Sequence, residues 1–410
     1  MIDYKRGILS DLFVAVVAKK LTLVETITPK SNQHEIQGTR PLRRMFGDDD
    51  RKQIPAKFVW LGEEQDGFTE DGFVSWSNVR KGKPRAPEYH LYYSGNSVTE
   101  AMKPGDGMFL ALRRDGSAMM IIAPAESTIQ NQLVWLFGLD HRPDLQLTFH
   151  EISAADSAQL DFAARYVLDE LGIEPAEPEV DVLDPLIAKF GSKFPTTRIF
   201  SEFARLSLPD VSALDDPDAA LFAWMEREEL LFRRLERHIV ADRISAGFAG
   251  DGSGADVDGF LSFSLSVQQR RKSRVGHALE NHLEALFTAH GVRYARGAET
   301  ENRNKPDFMF PGKGEYRDAT FAPERLTMLG AKSTCKDRWR QVLSEAHRIL
   351  NKHLLTLEPG ISENQTDEMQ AKQLQLVLPA RLHETYREKQ QAWLFTVQDF
   401  LALVKERQRS

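Results

Sequence analysis

A chain of 410 residues with a single cysteine, 41% apolar and 28% charged, is long enough for two globular cores but excludes an internal disulfide framework and a cysteine-built zinc site. Its net charge of -7 supplies no overall pull toward nucleic acid, and leaves room for local basic patches. The early apolar run Leu12–Ala18 is far too short to span a bilayer and precedes no small-residue cleavage site, so no membrane partner is expected; the lone Cys335 fits a reducing cytoplasm.

In chain order, Leu12–Ala18 reads as a short packed helix or strand. Phe58–Leu61, Phe73–Trp76, Tyr89–Tyr93, Met108–Leu112 and Met119–Ile122 are strand-like runs punctuated by Gly, Pro, Asn and Asp. The last two, joined through Asp115-Gly116, predict a hairpin. Short strands at regular spacing predict a small barrel or sandwich. From about Ala154 the pattern turns helical, with Leu160, Ala163, Ala164, Val167 and Leu171 at helical spacing. Glu174–Pro185, with three prolines and alternating acids, looks like a linker. The expected division is a mainly-β domain over 1–173, a linker over 174–189 and an α/β domain over 190–410.

Ala219–Ala241 predicts a long amphipathic helix. Gly247–Gly259 is a glycine-rich break whose acids lack the distal glutamate of a calcium loop, so a flexible connection is expected. Ser273–His290 predicts a helix with Leu279, Leu283, Leu286 and Phe287 on one face. Asp307–Phe310 and Leu326–Lys332 follow as strands. Asp337–Leu350 reads as a helix with Trp339, Val342, Leu343, Ala346 and Leu350 inward, and Leu374–Leu378 as a further strand. The sum is a central mixed sheet flanked by helices.

Four residues of this last third suggest chemistry. Pro306 favours a strand start, which puts Asp307 at the beginning of one strand while Lys332 ends the next. Glu345 and Glu280 each border the apolar stripe of a helix. Asp307 and Glu345 suit magnesium, a hard cation that takes oxygen ligands. Lys332 suits the attacking water and the charge that develops on a phosphorane-like transition state. Glu280 would reach the metal through a water, or orient Lys332. By themselves such residues are more often an ordinary charged rim.

The surrounding sequence adds a family. Arg270-Arg271-Lys272-Ser273-Arg274-Val275-Gly276 with Glu280, Asn304-Lys305-Pro306-Asp307-Phe308-Met309-Phe310-Pro311, and above all Lys332-Ser333-Thr334-Cys335-Lys336-Asp337-Arg338-Trp339-Arg340-Gln341 resemble the EcoRII family of type II restriction endonucleases, from roughly Phe194 to the C-terminus. Members of this branch lack the common Glu-x-Lys pair and carry the second metal acid on the helix after the lysine. Gly330 stands here where that glutamate would be. The resemblance implies Asp307, Lys332 and Glu345 as the catalytic set, Glu280 as an accessory acid, and a restriction-endonuclease-like fold. It also implies that Lys336, Asp337 and Arg338 read bases in the major groove, a role that suits an arginine facing guanine and an aspartate facing cytosine. A surface salt bridge at a helix start, with Asp337 as cap, is the other account of that segment.

More faintly, Trp76-Ser77-Asn78-Val79-Arg80-Lys81-Gly82-Lys83-Pro84-Arg85, followed by Tyr89–Tyr93, resembles the family's N-terminal effector domain, a DNA-binding pseudobarrel. Arg80, Lys81, Lys83 and Arg85 would grip phosphates, Trp76 or Asn78 would approach bases, and His34–Arg44 would form an opposing arm. An exposed hairpin kept soluble by its charges fits the same residues. What the resemblance implies is a homodimeric, magnesium-dependent enzyme cutting double-stranded DNA at a CCWGG-like site, with the N-terminal domain blocking the cleft. A modification-dependent or repair nuclease and a non-cleaving DNA-binding regulator remain as rivals.

Overall fold

The computed structural model describes residues 8–26, 35–62, 67–139, 147–153, 160–174, 183–249, 254–335 and 338–409. The chain divides into two compact units, Lys5–Ala176 with Pro359–Gln365, and Met1–Tyr4, Glu177–Glu358 and Thr366–Ser410.

The N-terminal unit is built on eight strands: β1 (Phe13–Lys20), β2 (Glu35–Gly38), β3 (Arg51–Trp60), β4 (Phe68–Asn78), β5 (Tyr89–Tyr93), β6 (Gly107–Arg113), β7 (Ala118–Ala123) and β8 (Thr148–Glu151). They form one sheet in the order β2-β5-β4-β3-β7-β6-β1-β8, curled as a half-barrel. Only β3 and β7 run parallel; the other pairs are antiparallel. Each predicted run lies on one of these strands, and the apolar run Leu12–Ala18 resolves as β1.

The expected hairpin joins β6 and β7. Its turn closes with Gly116 N–H donating to Arg113 O at 3.1 Å. Gly116 sits at φ +82°, a conformation that glycine adopts without a Cβ penalty. Side chains alternate across the strands, so both faces of the sheet are covered. Val16, Phe109 and Ile121 pack with Leu133 and Val167 of the helices Thr128–Leu136 and Phe162–Glu170. Val17, Ile122, Phe58 and Leu91 pack with Leu42 and Phe46 of the helix Arg40–Phe46.

In the C-terminal unit, five strands form a mixed sheet: β9 (Ala295–Arg296), β10 (Phe308–Phe310), β11 (Thr327–Lys332), β12 (Lys352–Thr356) and β13 (Leu374–Val377), in the order β13-β12-β11-β10-β9. β9, β10 and β11 pair antiparallel, whereas β11, β12 and β13 run parallel. The helices Pro217–Ala246 and Val257–Ala289 are both longer than the sequence pattern suggests. Asp216 caps the first by accepting Ala219 N–H at 2.9 Å, and Asp256 caps the second by accepting Gly259 N–H at 2.8 Å. A buried ionic cluster joins them. Arg274 donates to Glu228 at 3.2 Å and to Glu229, and His282 lies 2.9 Å from the second Glu228 oxygen. Leu279, Leu283, Leu286 and Phe287 are all buried, as the periodicity requires.

Three expectations change. Residues 183–189, read as linker, belong to a helix, Leu183–Phe190, whose Leu186 packs against Phe200, Leu231 and Phe232. The strand β12 was not anticipated. The helix expected over Asp337–Leu350 contracts to Trp339–Leu343, and Leu350 is 74% exposed rather than inward. Trp339, Val342 and Ala346 are buried as expected.

Candidate active site

Antiparallel pairing of β10 with β11 sets Phe308 opposite Leu329 and Phe310 opposite Thr327. The start of β10 therefore lies beside the end of β11, and Asp307 meets Lys332 across that boundary. Oδ2 of Asp307 accepts the Lys332 ammonium at 2.8 Å and the Ala331 amide at 2.7 Å. Both side chains are partly buried, at 17% and 20% exposure, so solvent screens the pair less than it would on an open surface.

Glu345 arrives from the next turn of chain. The helix Trp339–Leu343 ends at Ser344, and Glu345 N–H still donates to Val342 O at 3.1 Å. Ala346 then takes φ +48°, in the left-handed region, which turns the chain toward β12. Glu345 thus stands in the turn after the helix instead of on its face. Oε2 of Glu345 is shut off from solvent and has no hydrogen-bond partner among the described residues. Burial and the neighbouring Asp307 charge push its carboxyl up to about 7, against the pull of Lys332 and Lys352. A carboxylate held close to another carboxylate, with a buried oxygen left bare, is chemically suited to a cation.

Gly330 explains where this acid comes from. A Cβ at that position would lie 2.8 Å from Val342 Cγ2, which real Cβ atoms essentially never do. The helix Trp339–Leu343 packs onto the glycine backbone, so no glutamate side chain fits two residues before Lys332. An acid serving this place would have to come from beyond that helix.

Glu280 lies apart from this trio in its bonding. It accepts both Nε and Nη2 of Arg296, at 3.1 and 2.8 Å, and Arg296 also donates to Asn281 and Glu284. Because Arg296 sits on β9 opposite Phe308, Glu280 anchors the helix Val257–Ala289 to the strand beside Asp307. Lys332 is oriented by Asp307, not by Glu280. Among the described residues no group of three or more His, Cys, Asp or Glu gathers as metal ligands. Two carboxylates remain enough for magnesium, which keeps several of its waters.

Of the residues expected to read bases, Lys336 and Asp337 lie outside the described residues. Arg338 is exposed at the start of the short helix, its Nη2 3.4 Å from Thr334 Oγ1. Cys335 is buried, and its amide donates to the buried carboxylate of Glu358.

In the N-terminal unit, Trp76 is fully buried, stacked between Phe46 and Tyr89, with its indole N–H donating to Gly47 O at 3.0 Å. It is a core residue and corrects the expectation that it meets bases. Asn78 braces the following loop: its Oδ1 accepts the amides of Arg80 at 3.0 Å and Glu88 at 3.3 Å. Arg80 is paired with Glu88, and Lys81 with Asp50 at 2.8 Å. Lys83 and Arg85 are exposed. His34, from the expected opposing arm, lies outside the described residues, while the rest of that arm forms β2 and the helix Arg40–Phe46.

Sequence reasoning missed Arg296, which binds Glu280, Lys352, which lies near the Glu345 charge, and the pair Glu301–Tyr316, which binds the turn after Glu345. Lys352, at the start of β12, donates to Ile349 O at 2.7 Å and feels the charges of both Glu345 and Glu301. The apolar Leu354-Leu355 pair was the available signal for its strand.

An aspartate at a strand start, a lysine at the end of the neighbouring strand and a glutamate beyond it stand on a mixed sheet between helices. Residues 232–401 match the model of the family described as EcoRII C terminal. A stretch of 188 residues is 45% identical to the type II restriction enzyme EcoRII of Escherichia coli, covering 46% of this chain and 45% of that one. Another comparison matches 111 residues at 34% identity to the type II restriction enzyme SsoII of Shigella sonnei, covering 24% of this chain and 35% of that one. The chain spans less than half the length of these curated relatives. Among solved structures, metal-depleted Ecl18kI in complex with uncleaved DNA is similar at TM-score 0.45 and 20% identity, over 55% of this chain and 84% of that one. A complex of the restriction endonuclease PspGI with substrate DNA is similar at TM-score 0.44 and 16% identity, over 53% and 94%.

Proposed function

We propose that this chain is a type II restriction endonuclease that cuts double-stranded DNA at a specific site with the help of magnesium. The observation that carries the reading is the meeting of Asp307, Lys332 and the bare, buried oxygen of Glu345 at the rim of one sheet. Asp307 and Glu345 would hold the ion. When bound, magnesium would polarise the scissile phosphate and lower the pKa of a water for attack. Lys332, fixed by Asp307 Oδ2, holds its ammonium where it can position that water and offset charge on the phosphoryl oxygens. Glu280 acts at one remove, by fixing Arg296 and with it the strand beside Asp307. The products would carry 5′-phosphate and 3′-hydroxyl ends.

Lys336, Asp337 and Arg338 would read bases, leading directly from the catalytic strand. The target would be CCWGG-like, as the resemblance of Lys332–Gln341 to the EcoRII family implies. A two-fold symmetric site calls for a homodimer of this chain. The N-terminal half-barrel would bind a second stretch of DNA through Arg80, Lys81, Lys83 and Arg85, with Asn78 shaping the loop, and would restrain the catalytic unit until it does. The proposed division remains 1–173, 174–189 and 190–410, although the helix Leu183–Phe190 runs across the end of that linker.

Run-off sequencing of a long DNA digested with magnesium, and of a parallel digest in EDTA, tests the reading. Discrete ends at one sequence, present with magnesium and absent with EDTA, are the expected result. Intact DNA under both conditions would sink it. A methylated copy of the same DNA, cut in preference to the unmethylated one, would move the assignment to a modification-dependent nuclease.

A further inference from the structure

Glu301 has no part in the roles given above, yet it touches the turn that carries Glu345. Its two carboxylate oxygens accept the Tyr316 hydroxyl at 2.7 and 2.6 Å, and Oε2 also accepts the His347 amide at 3.3 Å. Asn304, on the same loop, donates Nδ2–H to Ser344 O at 2.7 Å. The turn is therefore tied on both sides of Glu345, at Ser344 and at His347, to the segment that leads through Lys305-Pro306 into Asp307. Arg348 completes the tie by donating to the carbonyls of Tyr316, of Asp318 at 3.0 Å and of Phe321 at 2.8 Å. Both segments carry non-glycine residues in the left-handed region: Asn302 at φ +57° and Arg303 at φ +62° in one, Ala346 at φ +48° in the other. Such conformations persist where the surroundings over-determine them, and here the surroundings are this hydrogen-bond set. Burial works against charge on Glu301, but the Tyr316 hydroxyl, its own backbone amide and the His347 amide together outweigh it and hold the carboxyl below its ordinary range.

We propose that Glu301 is a positioning residue for the metal site: through Tyr316 and the His347 amide it clamps the Glu345 turn against the chain entering Asp307, and so sets the spacing of the two metal acids. This rests on the nuclease reading. Groups that orient metal ligands from behind typically change metal affinity about 10–100-fold when removed.

The test uses the full-length chain and its Glu301→Ala, Glu301→Gln and Tyr316→Phe variants. Manganese binding is measured by calorimetry, the magnesium dependence of DNA cleavage in the same preparations, and DNA retention separately in EDTA. Glu301→Ala is expected to bind manganese at least about tenfold more weakly and to need correspondingly more magnesium, with the maximal rate recovered at saturating metal and DNA retention unchanged. Tyr316→Phe shifts in the same direction by less. Unchanged manganese affinity in all three variants overturns the inference, as does cleavage lost at every magnesium concentration. If Glu301→Ala does not fold, Glu301→Gln and Tyr316→Phe decide by the same readouts. A wild-type chain that neither binds manganese nor cuts DNA would fell the nuclease reading itself; an active wild type with unaffected variants fells only the role of Glu301.

Discussion

Gly330 and Val342 are in such close contact that a single added carbon at 330 would lie 2.8 Å from Val342 Cγ2. This one approach seats the helix Trp339–Leu343 on β11 and leaves no room at 330 for an acidic side chain. Gly330→Ala is expected to destabilise the protein by roughly 1–3 kcal/mol, the usual cost of overpacking a core. Val342→Ala placed on top should recover part of the loss, because the two residues share one space and their effects do not add. Urea unfolding of both singles and the double checks this; strictly additive losses would refute the contact.

The lysine carries a sharper expectation. Lys332→Ala leaves Asp307 Oδ2 its Ala331 amide, so the acid stays in place. DNA binding and metal binding should persist. Cleavage should fall by roughly two to three orders of magnitude, the scale seen when one transition-state stabilising group is removed. Single-turnover cleavage of DNA bound in calcium and started with magnesium separates the two steps. Wild-type rates would remove Lys332 from the chemistry.

Glu345 makes stability depend on pH in a direction opposite to that of most carboxylates. Its folded-state value of about 7 lies above the ordinary 4.5, so the folded chain holds a proton that the unfolded chain has lost. Stability from this group is fully present below pH 4.5 and is lost as pH rises through 7. In EDTA at pH 8, Glu345→Gln should therefore stabilise the chain, by about 1–2 kcal/mol after allowance for partial solvent screening. The same substitution should abolish magnesium-dependent cleavage. Melting temperatures from pH 5 to pH 8 in EDTA check the sign, and a Glu345→Gln variant less stable than wild type at pH 8 would contradict it.

Much of this was legible in the sequence where a period was strong. β4 to β7 follow alternating or continuous apolar runs, and Leu279, Leu283, Leu286 and Phe287 mark the buried face of their helix. Asp307 and Lys332 could be placed because proline and the apolar run fix where their strands begin and end. Glu345 was expected on the face of a helix and stands in the turn after one. Apolar spacing continues helically to Leu350, whereas Arg348 binds three carbonyls of another loop and the chain breaks from the helix at Ala346. β12 stayed hidden because its first two residues, Lys352 and His353, are polar yet buried. Local propensity carries no information about such tertiary partners.

Trp76 shows the same limit at the N-terminal unit, and yields a contrast between two substitutions. Its position beside a basic loop suggests base contact, but the ring is enclosed by Phe46 and Tyr89. Trp76→Ala should cost about 3–5 kcal/mol of stability, as for other buried aromatic truncations. Lys83→Ala with Arg85→Ala removes two exposed charges and should leave the melting temperature nearly unchanged. If the loop grips phosphates, the double variant should instead lower the salt dependence of full-length DNA binding, by roughly 0.9 in log–log slope for each phosphate no longer neutralised. An identical slope would move the phosphate-binding surface elsewhere.

Arg338 is the remaining test of how the site is chosen. Its guanidinium is exposed, and its approach to Thr334 Oγ1, at 3.4 Å, is too long and too weak to hold it. A side chain so placed, six residues beyond Lys332, would be able to turn toward a base edge when DNA enters. Removing a bidentate bond to guanine costs about 1–3 kcal/mol and relaxes preference at one base pair, whereas removing a phosphate bond weakens all sequences alike. Arg338→Ala should therefore cut additional, singly mismatched sites in a run-off digest while keeping its rate on non-specific DNA low. Ends confined to the wild-type sequence, with affinity reduced uniformly and a shallower salt slope, would assign Arg338 to the phosphate backbone instead.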